Sequence, residues 1–475
     1  MKPNLVYMFA DQLRLCSTGY AGDARAKTPN LDCLSQEGLD LCNAISGHPV
    51  CAPYRASLFT GKYTTSTGMV INEIRINRDH ETFADVLNKN GYETAYIGKW
   101  HLYANELGNH YDPKNSYIPK GRDRLGFNGL FASYNFHHEN YGENSYYHLD
   151  SPQKLFWGGY EPDAQTDMAI GEIKKFAEQG KPFALFLSIG TPHDPWEQWN
   201  VPTEYYEMFR NTKFGYPENY GAENDPHADD WARLSEEERR ALPEWMRVYY
   251  AMIANVDKNA GRVLEAINEC GIAENTIFIF TSDHGEMFGA HGRRAKNIFY
   301  EEAVRIPFLI KWGDRLPRGK NDVCLNTVDI MPTLLHMMGI EQIPSGVEGR
   351  DLSGCLFGCK DTEEPFGALM QGTGATAIVE DGHEGRGYRT KEYTYAVYLA
   401  DGEEHLYHNI SDPLQQHNLA QDPNYRNVKE RLCALMHKEM ERVHDRFRPS
   451  SYYVGKYIKD RKILFTSASE TEESL

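Results

Sequence analysis

The chain has 475 residues, of which 41% are hydrophobic and 25% are charged, and its formal net charge is −18. This length exceeds that of one small core, so we expect one large domain with a smaller companion. The negative charge, with no basic stripe to offset it, argues against a nucleic-acid partner, and a polyanionic substrate would require a local basic pocket.

The amino-terminal segment and the cysteines bear on the cellular compartment. Residues 5–10 form an apolar run that is too short for a secretory signal and lacks a small-residue cleavage site. No apolar run reaches the length of a membrane span, so we expect no membrane association. The nine cysteines are scattered and odd in number, which argues against a disulfide scaffold. We therefore expect a cytoplasmic protein, or a periplasmic or secreted one if a signal was removed.

Apolar runs alternate with helical patterns along the first 360 residues. This alternation is typical of an α/β fold, with a mostly parallel sheet covered by helices on both faces. Residues 103–160 and 197–233 follow neither pattern, and we interpret them as insertions that shape a binding site. The predicted strands are 4–10, 93–97, 183–189, 276–281 and 306–311, and the predicted helices are 31–38, 82–91, 163–178 and 244–270.

The pattern changes after about residue 360. Residues 393–399 and 405–407 flank Asp401-Gly402 as the strands of a hairpin do, and residues 428–443 form an amphipathic helical pattern. We therefore predict a large α/β domain at residues 1–360 and a smaller C-terminal α+β subdomain at residues 361–475.

Polar residues directly follow four of the predicted strands. Each of them alone has an ordinary explanation, such as a turn former, a surface charge or a structural histidine. Ligands bind at the carboxyl ends of the strands in open α/β sheets, so we expect these side chains to converge on one crevice. They are Asp11, Gln12, Lys99, His101, His193, Asp283 and His284.

Part of this set predicts a metal site. Two carboxylates, an amide oxygen and an imidazole suit Ca²⁺, Mg²⁺ or Mn²⁺ better than zinc, and the imidazole favours Mn²⁺. The four predicted ligands are Asp11, Gln12, Asp283 and His284. Such a cation would offset the charge of a bound anionic ester, and further cationic or proton-bearing groups would assist it. These groups are Lys99, His101, His193 and Lys296.

The segment Cys51-x-Pro53-x-Arg55, followed by Thr60-Gly61, concentrates further chemistry. Pro53 suits the first turn of a helix, where its missing N–H costs nothing. Cys51 would then lie at a helix N-terminus, where free N–H groups favour anions and thiolates. The residues alone therefore predict either a reactive cysteine or an anion site.

This segment also resembles the signature of the type I, formylglycine-dependent sulfatases of the alkaline phosphatase superfamily. Further matches follow in the family's order along nearly the whole chain. They are Asp11-Gln12, Gly98-Lys99-Trp100-His101, Thr191-Pro192-His193, Ser282-Asp283-His284-Gly285, Lys296, and the closing Leu406-Tyr407, Asp412-Pro413 and Asn418-Leu419-Ala420.

The resemblance implies an alkaline-phosphatase-like fold and hydrolysis of a sulfate ester to an alcohol and inorganic sulfate. It implies that a formylglycine-generating or anaerobic sulfatase-maturing enzyme oxidises Cys51 to formylglycine, whose hydrate attacks sulfur and later expels sulfate. By family position, Arg55 holds the hydrate and His101 supports its deprotonation. The resemblance also makes residue 51 a ligand of the metal, for which we expect Ca²⁺, with Mn²⁺ or Mg²⁺ as alternatives.

The family positions also assign the sulfate-binding groups. Lys99, His193 and Lys296 would hold sulfate oxygens, and His193 or Lys296 would protonate the departing alcohol. The expected substrate is a sulfated small molecule or saccharide, because aromatic residues around 131–160 and 194–231 could stack on sugar rings. The same stretches could instead serve only as lids.

Two departures from the family pattern keep alternatives open. Gln12 replaces an Asp found in many sulfatases, and His284 replaces the Asn that is common in arylsulfatases. Both variants resemble phosphonate monoester hydrolases, so a phosphonate monoester or phosphodiester hydrolase is the alternative enzyme, although Lys99 and His101 fit the sulfatase pattern. An unmodified chain that binds sulfated glycans without turnover is a third possibility.

Overall fold

The computed structural model describes residues 2–467 except 105, 107, 110 and 361. Within these residues the strands are β1 (Asn4–Ala10), β2 (Leu39–Leu41), β3 (Ala44–Ile45), β4 (Glu93–Lys99), β5 (Phe131–Tyr134), β6 (Tyr146–Tyr147), β7 (Leu155–Phe156), β8 (Phe183–Ile189), β9 (Thr276–Ser282), β10 (Phe308–Lys311), β11 (Gly319–Asn321), β12 (Leu325–Asn326), β13 (Gly367–Thr373), β14 (Glu384–Thr390), β15 (Tyr393–Tyr398), β16 (Glu404–His408), β17 (Ile458–Lys459) and β18 (Lys462–Ile463).

The α-helices of the same residues are α1 (Pro29–Glu37), α2 (Cys51–Thr60), α3 (Thr64–Thr67), α4 (Phe83–Lys89), α5 (Pro113–Ser116), α6 (Glu161–Gln179), α7 (Thr203–Glu207), α8 (Glu236–Glu269), α9 (Glu301–Val304), α10 (Thr327–Met337), α11 (Ser353–Leu356), α12 (Arg426–Arg442) and α13 (Ser450–Tyr457). Among the described residues, no helix combines the length and apolar character that crossing a bilayer requires.

An eight-stranded sheet in the order β11-β2-β10-β9-β1-β8-β4-β5 forms the centre of the described chain. The five strands from β9 to β5 run parallel, whereas β10 is antiparallel to both of its neighbours. Both faces are covered, so Tyr7 of β1 packs in one core and Met8 in the other. Burial on both faces explains why these strands are continuous apolar runs. The predicted α/β fold with a mostly parallel sheet is confirmed.

Three elements differ in detail from the sequence predictions. Strand β5 lies inside the segment that was interpreted as an irregular insertion. Helix α8 begins at Glu236, because Ser235 and Glu238 form a capping box that satisfies its first turn. The helix then continues through Pro243. The predicted strand at 306–311 begins at Phe308 and pairs antiparallel with β9.

A four-stranded antiparallel sheet, β13-β14-β15-β16, follows the central sheet in the chain. Strands β15 and β16 form the predicted hairpin. The apolar face of α12, with Leu432 and Met436, packs on this sheet beside Leu369 and Leu406. The predicted C-terminal α+β unit is therefore present, while the domain boundary at residue 360 stays a prediction.

Candidate active site

Cys51 is the first residue of α2, as the sequence predicted. Its side chain is fully buried, and the next N–H, that of Ala52, donates to Oδ1 of Asn72 at 3.0 Å. Pro53 lies in the first turn and removes one of the N–H groups that would otherwise lack a partner. The helix ends at Gly61, whose φ of 65° is in the left-handed region that favours glycine.

Four groups at the start of α2 converge closely enough to hold one metal ion. The Sγ atom of Cys51 lies 3.1 Å from Nε2 of His284 and 3.6 Å from Oδ1 of Asp11. With Asp283 they form a buried set whose ligand atoms all lie within 4.8 Å of one another. Nδ1 of His284 lies 3.0 Å from the carbonyl oxygen of Gly285, and donation there leaves the Nε2 lone pair facing the cluster. Burial lowers the pKa of His284, which favours this neutral imidazole.

The carboxylates of this cluster are balanced by two buried cations. Arg55 donates to Oδ2 of Asp11 at 3.0 Å and to Oδ2 of Asp283 at 3.2 Å. Nζ of Lys99 lies 2.7 Å from Oδ2 of Asp11. Burial alone would raise the pKa of Asp11, but Lys99, His193 and Arg55 outweigh burial and hold it well below its usual value. Asp11 is therefore ionised within the buried cluster.

Gln12 takes a different position from the other predicted ligands. Its φ is 71°, and its N–H donates to Oδ1 of Asp283 at 3.0 Å. Its side-chain Oε1 accepts a hydrogen bond from Lys296, and its Nε2 donates to Oε2 of Glu286 at 2.6 Å. The amide oxygen is thus bonded to Lys296 in this structure, and the role of Gln12 as a metal ligand stays a prediction.

His193 and Lys296 form a pair next to the cluster. Nε2 of His193 lies 3.0 Å from Nζ of Lys296, and Nδ1 lies 3.0 Å from Oδ1 of Asp194. Burial and Lys296 lower the pKa of His193, but Asp194 and Asp11 outweigh them, so its net pKa is raised. The ammonium of Lys296 and the imidazole of His193 are together suited to bind an anionic substrate through charge and hydrogen bonds.

His101 follows β4 and is buried at the same edge of the sheet. Its φ is 55°, and its ring centroid lies 4.4 Å from that of Phe136. Nζ of Lys99 lies 4.7 Å from the same Phe136 ring. One aromatic side chain therefore supports both residues of the Lys99-x-His101 segment.

Several residues of this site were not predicted from the sequence. Asp194 and Glu286 directly follow predicted site segments, so their positions after strand ends are the signal that marks them. Nδ1 of His138 lies 2.8 Å from Nδ1 of His193, and Asn72 binds the start of α2. Both residues come from segments without a periodic pattern. No local signal marks these two.

A pocket opens above Gln12, His193 and Lys296. Its walls combine aromatic side chains with cationic and acidic ones, and Arg294 and Lys296 supply the cationic groups that an anionic substrate requires in an acidic protein. Those walls include Phe136, Trp196, Trp231 and Arg294.

Comparisons with known proteins agree with this geometry. Residues 3–340 match the sulfatase family model, and residues 289–444 match the C-terminal model of N-sulphoglucosamine sulphohydrolase. The chain belongs to the sulfatase family, has the fold of that family and is a sulfuric ester hydrolase.

Individual relatives cover nearly the whole chain. An ulvan-active sulfatase of Formosa agariphila is 36% identical over 96% of this chain and 84% of its own length. An endo-4-O-sulfatase of Bacteroides thetaiotaomicron is 28% identical, with 97% and 95% covered. A solved structure from the same organism, connected with the metabolism of multiple glycosaminoglycans, has a TM-score of 0.81 at 26% identity, with 97% and 99% covered.

Proposed function

We propose that this sulfatase releases sulfate from a sulfated saccharide, with a formylglycine made from Cys51 as nucleophile and one divalent cation. The observation that carries the proposal is the convergence of Asp11, Cys51, Asp283 and His284 at the start of α2. The side chains of His193 and Lys296 lie next to each other in the lining of an adjoining pocket. An oxygen nucleophile, a hard metal site and an anion-binding pair together suit sulfate-ester hydrolysis.

The donor set fits a divalent cation. Asp11, Asp283, His284 and the modified residue 51 would hold it, with Gln12 as a further predicted ligand; we expect Ca²⁺, with Mn²⁺ or Mg²⁺ as alternatives. When bound, the cation supplies positive charge that favours an ionised oxygen nucleophile and offsets the charge of the sulfate. The hydrated formylglycine supplies that oxygen nucleophile. Formation of this formylglycine requires the maturation of Cys51 by a formylglycine-generating or anaerobic sulfatase-maturing enzyme.

The other predicted residues hold the reacting groups. Arg55 fixes Asp11 and Asp283 through two hydrogen bonds, and by family position it would hold the hydrate of residue 51. Lys99 and Lys296 would donate to sulfate oxygens, and His101 would accept a proton from the hydrate. His193, whose pKa is raised chiefly by Asp194 and Asp11, would hold sulfate and donate a proton to the departing alcohol.

The pocket and the relatives support a saccharide substrate. Trp196 and Phe136 line the pocket, and Trp231, which is 50% exposed, offers a broad face to a sugar ring. The ulvan-active and endo-4-O-sulfatase relatives act on sulfated material according to their names. The net charge of −18 disfavours non-specific binding of an anionic saccharide elsewhere on the protein.

The decisive experiment compares sulfate and phosphate esters of the same alcohol. The matured enzyme should release sulfate from an aryl sulfate and from sulfated oligosaccharides, and should hydrolyse the matched phosphate diester or phosphonate monoester more slowly. Faster turnover of the diester would establish the alternative phosphonate or phosphodiester hydrolase. Binding of sulfated oligosaccharides without any release by the matured enzyme would establish a non-catalytic binder.

Metal removal is expected to abolish activity. After dialysis against EDTA, sulfate release should fall to background and return when Ca²⁺ is added. The activity recovered with Mn²⁺ and with Mg²⁺ is measured in parallel. Asp283→Asn should weaken metal binding by at least about 10-fold to 100-fold, because it neutralises a buried ligand. Asp314→Asn, whose side chain is 80% exposed, is the matched control and should behave as wild type. Full activity in chelated enzyme whose metal content is verified as zero would contradict the metal proposal.

The raised pKa of His193 predicts a specific pH dependence. As general acid His193 acts in its protonated form, so kcat should fall as pH rises through a pKa above the ordinary value of about 6.5. Asp194 raises this pKa, so Asp194→Asn should move the alkaline limb to lower pH. The Asp194 side chain is 41% exposed, so solvent screens part of its effect. His193 would be excluded as the general acid by two results together. The alkaline fall of kcat would be unchanged in Asp194→Asn, and the same fall would still be seen in His193→Gln.

A further inference from the structure

A second group of metal-binding side chains lies outside the catalytic centre. Nε2 of His227 is 3.3 Å from Oε2 of Glu403, and Nε2 of His405 is 2.9 Å from Oε1 of the same carboxylate. The ligand atoms of the three residues all lie within 4.8 Å of one another. One carboxylate thus faces two imidazole nitrogens at spacings that a single ion could bridge.

Aromatic packing fixes both imidazole rings. The His227 ring stacks on Tyr398, with centroids 3.8 Å apart and an interplanar angle of 9°. The His405 ring meets the same Tyr398 ring edge-on, with a centroid distance of 5.1 Å. His227 and His405 are 5% and 7% exposed, whereas Glu403 remains open to solvent. The two rings are therefore held in place before any ligand binds, which lowers the entropic cost of binding one.

The backbone also positions this group. His405 lies in β16, and Glu403 immediately precedes that strand, so a short stretch of chain brings the carboxylate next to the imidazole. The N–H of His227 donates to Oδ1 of Asp225 at 2.8 Å, and Oδ2 of Asp225 lies 3.3 Å from Arg293. The loop that carries His227 is thus anchored independently of the two residues on the sheet.

The surrounding pocket is separate from the one above Lys296. It is lined by His227, His291, Tyr300, Glu403 and His405, among others, and shares no lining residue with the catalytic pocket. Its open side leaves room for a water molecule or another small ligand beside the three side chains.

We propose that His227, Glu403 and His405 form a zinc site distinct from the catalytic centre. Two imidazole nitrogens and one carboxylate oxygen are borderline ligands that suit Zn²⁺, with a solvent molecule in the fourth position. Ca²⁺ and Mg²⁺ prefer sets made entirely of oxygen, so the hard cation expected at Asp11 and Asp283 would not compete well here.

The position of this site predicts a structural role. The ion would join the loop that carries His227 to strand β16 of the C-terminal sheet. Asp225 of that loop contacts Arg293, which donates to the carbonyl oxygen of Lys296 at 2.9 Å. Zinc would therefore tie the C-terminal sheet to a segment that reaches the wall of the catalytic pocket.

Zinc binding by the purified full-length protein tests this proposal. Wild-type protein, equilibrated with Zn²⁺ and freed of excess metal, should retain one more zinc per chain than His405→Gln or Glu403→Gln. Each substitution should weaken zinc binding at this site by more than about 10-fold. Removal of a residue that only hydrogen-bonds to a metal ligand already causes a loss of this size, and these substitutions remove a ligand itself. His417→Gln, whose side chain is 77% exposed, is the matched control and should bind as wild type.

A stability readout separates loss of a ligand from loss of the fold. Zinc should raise Tm of wild-type and His417→Gln protein but not that of Glu403→Gln, whose metal-free Tm should equal that of wild type because its carboxylate is exposed. The same zinc content and the same Tm rise in Glu403→Gln as in wild type would overturn the site. Wild-type protein that retains no zinc beyond the catalytic centre would overturn it equally.

Discussion

Cys51→Ala is expected to abolish sulfate release while the protein remains folded. Alanine has no group that can be oxidised to an aldehyde, so the nucleophile is lost, and removal of one catalytic group of this kind costs at least about 10⁴-fold in kcat. The substituted side chain is small and alanine suits a helix, so α2 should still form. Sulfate release by matured protein, with circular dichroism as the measure of folding, tests both parts.

The control for this prediction is Cys359→Ala, because Cys359 is exposed and lies outside the site. This variant should retain wild-type activity. Mass spectrometry of the peptide that contains residue 51 should identify formylglycine in active wild-type protein. Turnover that persists in Cys51→Ala, or in wild-type protein whose Cys51 is wholly unmodified, would refute the proposed nucleophile.

Arg55→Met is expected to remove both activity and a large part of the stability. Arg55 is fully buried and bridges the carboxylates of Asp11 and Asp283. Methionine fills similar space but leaves those charges without their shared partner, and breaking a buried ion pair costs about 3–5 kcal/mol. The free energy of unfolding, followed by urea denaturation, should fall by this amount in metal-free protein.

The metal provides a second measurement on the same variant. A cation bound by Asp11 and Asp283 would offset part of their charge, so the loss of stability should be smaller with Ca²⁺ than with EDTA. Arg318→Met is the control, because its ion pair with Asp314 is exposed and such pairs contribute about 0–1 kcal/mol. Equal effects of the two substitutions would contradict the role of Arg55 as a buried counter-ion.

The sequence predicted the central strands well because burial on both faces leaves a clear signal. The bounds predicted for β1 and β8 are the observed ones. Strand β5 was missed because it is only four residues long and lies among Tyr, Asn and His residues. Helix α8 was predicted to begin at residue 244, whereas the capping box of Ser235 and Glu238 starts it at Glu236 and Pro243 lies inside it.

The site was predictable wherever its residues follow a strand. Asp11, Lys99, His193 and Asp283 all lie where the sheet edge predicted them. The bond of Gln12 to Lys296 depends on a side-chain conformation that no local pattern encodes. The catalytic roles of these residues, the division at residue 360 and the cytoplasmic location remain predictions.

The complete burial of Cys51 sets a constraint on the order of events during biosynthesis. Its thiol is enclosed between His284 and Asp11, so a maturing enzyme has no access to it once α2 has docked. If Cys51 is oxidised as proposed, the oxidation would have to precede docking or follow local unfolding of the segment. The fraction of active enzyme would then reflect a competition between two rates, that of folding around α2 and that of modification. Slower docking of this helix would raise the yield of active enzyme without any change at the site itself.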